Sequence, residues 1–360
     1  MKTFITEQGI DIFLNTNIQS NWMYDETNVL RQIHNWKTHL PWIKPYYALK
    51  CNPSPELVHT LVQEGVGLDA ASNQELILAA KYTKDIIYTN PHLLLYEKKN
   101  MKKKLAQVRF KVVDDIGELE QMRGVQADIL LRMNSGNPNA FDSKFGCTQE
   151  EAKTMIHYAK NHSIRIRGVS FHIGSGGEHD RLSSYQRAYE YAEPVLEYLN
   201  FMYSETPVLN IGGGLWFHTN LEEVLGWTKN LPYILIAEPG RYFAQPAYHL
   251  MTQIIAKTSR GLFLDNGVYH ELNVYHRDHW VFPNLTHYYD HDTNTLHQVI
   301  MFEPTYILGP TCDSYDNLGI CKFPKDYKKG DHIFLEHMGA YTCAGSCNFN
   351  GILGASSLMF

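Results

Sequence analysis

The sequence predicts a parallel (β/α)8 barrel, of the TIM type, with a second all-β domain, and three observations carry that expectation. Short apolar, β-rich runs recur eight times: PYYALKCN, VGLDAAS, DIIYTNP, RFKVVDD, DILLRMN, IRGVSFHIGSG, PVLNIGGG and YILIAEPGR. Helix-like stretches lie between most of them, among them SPELVHTLVQEG, NQELILAAKY and SYQRAYEYAEPVLEYLNFMY, the last with apolar and aromatic residues near helical spacing. After Arg241 the texture changes to strand-like segments separated by turns, with little helical periodicity. Successive β-then-α units on this scale favour a closed barrel over an open sheet.

In a barrel of this kind chemistry gathers where the strands end. Here the strand ends carry Lys50, Asp69, Asn90, Asp114, His172, Gly213 and Glu238. Any one polar residue after a strand is unremarkable; their concentration points to a site. The later segments HLMTQIIAKT, LHQVIMFEPTYILG and DHIFLEHMGAYT have strand character, and TFITEQGIDIF near the start also reads as strand. The expected division is therefore a barrel over 26–247, with 1–25 and 248–360 forming a β domain of sandwich or small-barrel kind.

The composition bounds the function. The chain has 360 residues, 44% apolar and 19% charged, as in globular proteins with a sizeable core. No apolar run approaches the roughly 18 residues of a membrane span. The opening MKTFITEQGIDIF lacks the apolar stretch and cleavage site of a signal peptide, and no regulatory tail is expected beyond NFNGILGASSLMF. A cytoplasmic protein with no membrane partner is expected. A formal charge of −6 gives no reason to expect nucleic acid and is compatible with a cationic small molecule; KKNMKKK reads as a solvated helix face. The six cysteines form no CxxC pair, and Cys343 and Cys347 only a CxxxC, so reduced thiols are expected. HRDHW and HYYDHD lack the HExxH spacing, and no metal is expected.

Lys50 follows apolar and aromatic neighbours in YYALKCN. Burial there would disfavour its charge and lower its pKa, as a Schiff-base lysine requires; the alternative is a surface lysine at a strand edge. FHIGSGG and NIGGG place glycine backbone directly after strands, where amides can approach an anion. A nucleotide is the rival ligand, but neither segment has the GxGxxG register. In AEPGR, Glu238 can meet a cationic ring nitrogen and Arg241 a phosphate dianion. An amine, a carboxylate, a ring-stacking imidazole (His172) and several phosphate donors fit pyridoxal phosphate (PLP) better than a nucleotide.

With these residues in view, the chain resembles the fold type III PLP decarboxylases, and within them the ornithine decarboxylase branch. The resemblance covers nearly the whole chain, in order: YYALKCN, GLDAAS, FHIGSG, NIGGG, AEPGRY, DNGVY, LGPTCDSYD and MGAYTCAGSCNFNG. It implies that Lys50 holds PLP covalently with Asp69 nearby, and that His172 stacks on the pyridine ring. Ser175, Gly213, Gly214, Gly240, Arg241 and Tyr341 are then the phosphate site, and Glu238 pairs with the ring nitrogen. Related alanine racemases place an arginine there, so Glu238 implies decarboxylation over racemisation. Cys312 resembles the residue that returns a proton to the α-carbon; a free thiol, with an ordinary pKa near 8.5, has one to give at neutral pH. Asp278 and Asp313 resemble the acids that bind the distal amine of a diamino acid, since an unpaired buried ammonium is costly.

The implied reaction is decarboxylation of ornithine to putrescine. Lysine, dual lysine/ornithine, arginine, diaminopimelate and carboxynorspermidine decarboxylases are alternatives on the same scaffold, and a non-catalytic regulatory homologue is a remoter one. The resemblance also implies a head-to-tail homodimer in which Cys312, Asp313 and Tyr341 serve the partner subunit's Lys50. The chain departs from the family pattern at Ala140, at Asn266 in DNGVY, at Arg277 beside Asp278, and in LWF after the triple glycine.

Overall fold

A computed structural model describes residues 20–92, 105–134, 144–174, 180–277, 287–290, 292–293, 295–298 and 301–355. The chain divides into two compact units, 26–244 and 1–25 with 245–360. The first strand, β1 (Asn21–Tyr24), belongs to the second of these.

The unit 26–244 is a closed barrel of eight parallel strands: β2 (Ile43–Ala48), β3 (Gly67–Ala70), β4 (Ile86–Tyr88), β5 (Phe110–Val113), β6 (Asp128–Arg132), β7 (Ile166–Ser170), β8 (Val208–Asn210) and β9 (Ile234–Ala237). β9 closes the ring on β2, with Ile43 opposite Leu235. All eight apolar runs read from the sequence are barrel strands. Tyr46, Ile87, Phe110, Val112, Leu130, Val208 and Ile236 form one buried cluster that fills the barrel. Gly168 permits β7 to close on β8, because a Cβ there would lie 1.9 Å from the Val208 carbonyl oxygen.

The helices follow from local chemistry. The helix Pro55–Gln63 has proline in its first turn, where the missing N–H costs nothing. In Gln149–Asn161, Thr148 and Glu151 form a reciprocal capping box. The long helix Arg181–Tyr203 buries Tyr185, Ala188, Ala192, Val195, Leu196 and Leu199, a stripe at helical spacing. No helix among the described residues is long and apolar enough to cross a membrane.

The other unit is a sheet built on β1, β10 (Tyr248–Thr258), β11 (Gly261–Leu264), β12 (His287–Asp290), β13 (Thr295–Gln298), β14 (Phe302–Leu308), β15 (Asn317–Pro324) and β16 (His332–Leu335). The order is β13-β12-β16-β10-β11-β14-β15, with β1 also on β10. β10 pairs β1 and β16 through its first half, then passes an irregularity at Ile254/Ala256 and pairs β11. Only β11 and β14 run parallel among these pairs. Leu250, Ile254, Leu262, Ile307, Phe323 and Ile333 lie in its core. The barrel and the separate sheet agree with the fold class expected from sequence. The strand expected at TFITEQGIDIF lies outside the described residues.

Candidate active site

The barrel unit gathers its functional groups at the carboxyl ends of its strands. β2 ends at Ala48, and a one-turn 3-10 helix, Leu49–Cys51, carries Lys50. The expectation of a buried lysine needs correction. Leu49 and Cys51 are buried, but the turn lifts Lys50 off the strand and leaves it exposed. Its charge acts on Asp69, Glu75 and His172.

Asp69, near the end of β3, is buried; Thr89 Oγ1 donates to its Oδ1 at 2.6 Å, while Oδ2 has no hydrogen-bond partner. Burial, and then the charge of Glu238, hold its carboxyl well above the ordinary range, against the pull of Lys50. Glu238 follows β9 and is also buried. Asn210, fully buried at the end of β8, donates through Nδ2 to Glu238 Oε1 at 2.6 Å and accepts from the Gly212 N–H at 2.9 Å. The Glu238 N–H returns a bond to the Gly212 carbonyl at 2.7 Å. Asn210 therefore locks the carboxylate to the glycine loop.

His172 is oriented by its own backbone: the Gly174 N–H donates to Nδ1 at 2.8 Å, leaving Nε2 to carry the proton of a neutral ring. Burial pushes its pKa well below the usual histidine range, and the nearby charges of Lys50 and Arg132 push the same way. The imidazole is thus neutral at physiological pH.

The glycine loop is shaped to take an anion. Gly212 and Gly214 have φ of 68° and 114°, and a Cβ on Gly213 would lie 2.8 Å from the Glu238 carbonyl oxygen and 3.2 Å from His172 Nε2. Among the described residues no protein acceptor meets the N–H groups of Gly213, Gly214 or Leu215. Successive amides left open in this way can take an anion. Arg241 is buried beside them, its guanidinium 4.6 Å from the Trp216 ring centroid. A Cβ on Gly240 would lie 3.1 Å from Cys51 Cβ, so this glycine brings the turn after β9 against the turn that bears Lys50.

A separate group of residues lies on the β unit. Cys312 is exposed in the loop after β14, and its N–H donates to Asn350 Oδ1 at 3.1 Å. Beside it, Asp313 accepts from the Tyr269 hydroxyl and, at 3.0 Å, from the Tyr315 N–H. Those two bonds, the tyrosine's first, hold the Asp313 carboxyl below the usual range, so it is ionised at neutral pH. Tyr341 is half-buried with φ of 61°, a conformation that costs a non-glycine residue about 1–3 kcal/mol and is concentrated at functional sites. Ser175 and Asp278 lie outside the described residues.

Sequence reasoning missed four positions. Asn210 stood in plain view in NIGGG, but its partner is 28 residues away. Glu75 accepts from the Ala71 N–H at 2.6 Å within reach of the Lys50 charge; its one signal was a Ser72-x-x-Glu75 helix start. Tyr269, in DNGVY, holds Asp313. Asp316, the last residue of CDSYD, is buried and accepts from the Val268 and Thr311 N–H groups, both at 2.9 Å. Gly267 and Gly309 pack on its carboxylate so closely that a Cβ would lie 2.2 and 2.0 Å from Oδ1. Asp316 thereby ties the Tyr269 loop to the Cys312–Asp313 loop. The asparagine of DNGVY also has a reason: Asn266 Nδ2 donates to buried Glu271 at 2.5 Å, where an aspartate would oppose two carboxylates.

A parallel barrel with an amine, paired carboxylates, a neutral imidazole and an anion nest at its strand ends defines a phosphate-bearing cofactor enzyme. Residues 26–245 match the family model described as the pyridoxal-binding domain of pyridoxal-dependent decarboxylases. The chain belongs to this family, and its cofactor is PLP. It is 29% identical to ornithine decarboxylase of Saccharomyces cerevisiae, over 95% of this chain and 80% of that one. It is 31% identical to the chloroplastic ornithine decarboxylase of Nicotiana glutinosa, over 92% and 82%. Among solved structures, the lysine/ornithine decarboxylase of Vibrio vulnificus complexed with cadaverine matches with a TM-score of 0.83 and 27% identity, covering 99% of this chain and 98% of that one. The unpartnered Asp69 oxygen, the open amides at 213–215 and the glycine cradle fit PLP.

Proposed function

We propose that the protein decarboxylates a basic amino acid, with L-ornithine the leading substrate and putrescine and carbon dioxide the products, as a step in polyamine formation. The observation that carries this reading is the Cys312–Asp313 pair: a thiol next to a carboxylate kept ionised by Tyr269. The relatives named as ornithine decarboxylases support it.

Bound PLP supplies a protonated ring that takes up the electron pair left by departing carbon dioxide. Around it the chain's own residues divide the work. Lys50 would hold the cofactor through its side-chain amine. Glu238, braced by Asn210, keeps the proton on the ring nitrogen. His172, neutral and fixed by Gly174, offers a flat uncharged face to the ring. Gly213, Gly214, Gly240, Arg241, Ser175 and Tyr341 hold the phosphate, and Asp69 stands near Lys50. Asp313 and Asp278 take the distal ammonium. Cys312 then gives its proton to the α-carbon.

In this reading Cys312, Asp313 and Tyr341 act on the cofactor held by the partner subunit's Lys50, so the active form is a cytoplasmic homodimer. Dual use of lysine is the second reading, because one methylene is worth only about 1–3 kcal/mol in discrimination. A non-catalytic homologue would have lost Lys50, Glu238, Arg241 or Cys312, and all four are present.

The proton-return role is tested with Cys312→Ala. Carbon dioxide release should continue while diamine falls below carbon dioxide, because protonation goes astray. Equal amounts of the two at an unchanged rate would remove Cys312 from the reaction.

A further inference from the structure

Arg181 opens the long helix that packs on the barrel, is buried, and donates through Nη1 to the carbonyl oxygen of Gly214, the last glycine of the anion nest. Its guanidinium also lies over the Trp216 ring, 5.7 Å from the centroid, on the same indole that Arg241 approaches to 4.6 Å. One turn along the helix, the buried Tyr185 hydroxyl donates to the Gly213 carbonyl at 2.8 Å. Two successive carbonyls of the loop are thus drawn toward one helix.

The consequence follows from peptide geometry. In a planar trans peptide the carbonyl and the following N–H point in opposite directions. Holding the Gly213 and Gly214 carbonyls turns the N–H groups of Gly214 and Leu215 the other way. Both are among the amides with no protein acceptor. A glycine loop left alone has no such preference, since its φ angles are free. Trp216 in turn sets where both guanidinium groups sit, because cations favour the face of an indole.

We propose that Arg181 is a positioning residue for the cofactor phosphate. Together with Tyr185 and Trp216 it turns the amides of the 212–215 loop toward the anion, and it adds a second fixed positive charge to that of Arg241. The proposal rests on the PLP reading above and extends it to a residue outside the glycine segments.

The test compares PLP with pyridoxal, which has the same ring and aldehyde but no phosphate. Affinities are measured on apo-protein by quenching of tryptophan fluorescence and by the absorbance of the bound cofactor. Arg181→Met should weaken PLP about 10- to 100-fold and leave pyridoxal unchanged, while inorganic phosphate loses its ability to compete with PLP. Arg181→Lys, which keeps the charge without the planar fork, should fall between the two. Equal weakening of PLP and pyridoxal, or no change in either, would overturn the proposal. A wild-type chain that binds neither would instead overturn the cofactor reading and this proposal with it.

Discussion

Replacing Lys50 with alanine is expected to remove the covalently bound cofactor and to lower turnover by about 10⁴-fold or more, the scale seen when a residue central to the chemistry is deleted. The expectation comes from its place. Lys50 sits in a turn after β2, exposed, with its charge acting on Asp69, Glu75 and His172. The anion nest and Arg241 are untouched by the change, so PLP should still bind through its phosphate. The variant should therefore lose the visible band of the attached cofactor yet retain a weaker, reversible affinity for it. A band that survives in Lys50→Ala would move the attachment to another lysine. Lys111, the fully buried alternative, gives its Nζ to the Asn90, Pro91 and Val112 carbonyls and is not placed to compete.

Glu238→Gln is expected to keep the cofactor and lose about 10²–10³-fold in kcat. The amide matches the carboxylate in shape, so the packing around Asn210 survives. It cannot hold a proton on the ring nitrogen, and the ring becomes a weaker acceptor of electrons. A second effect has a defined sign. The Glu238 charge is one of the causes that raise the Asp69 pKa, so its removal should lower that pKa toward the ordinary carboxylate range. The pH profile of kcat and the cofactor spectrum are the measurements. Unchanged kcat in Glu238→Gln would mean that the ring nitrogen has another partner.

The eight barrel strands were legible because strands buried on both faces read as unbroken apolar runs closed by polar residues. The sheet unit was harder. β1 is four half-buried residues, NWMY, whose pairing with β10 spans more than two hundred positions of chain, and no local pattern announces it. HYYD, noticed in the sequence only as part of a histidine-rich cluster, is β12; four residues are too few for alternation to show. Among candidate site residues, those in glycine or charged motifs were singled out by local sequence. Asn210, Tyr269 and Asp316 were not, because each acts by a hydrogen bond to a residue 28 to 48 positions away. Lys50 shows the reverse error. Its neighbours Leu49 and Cys51 are buried as the sequence implies, and only the geometry of a one-turn helix exposes the lysine between them.

The central claim is tested most directly by carbon dioxide release from PLP-loaded protein offered ornithine, lysine, arginine and diaminopimelate separately. Release from ornithine, with lysine as the nearest competitor, is the expected result. Preference for arginine or diaminopimelate would contradict the role given to Asp313 in choosing the substrate, and no release from any of the four with cofactor bound would contradict the decarboxylase reading itself.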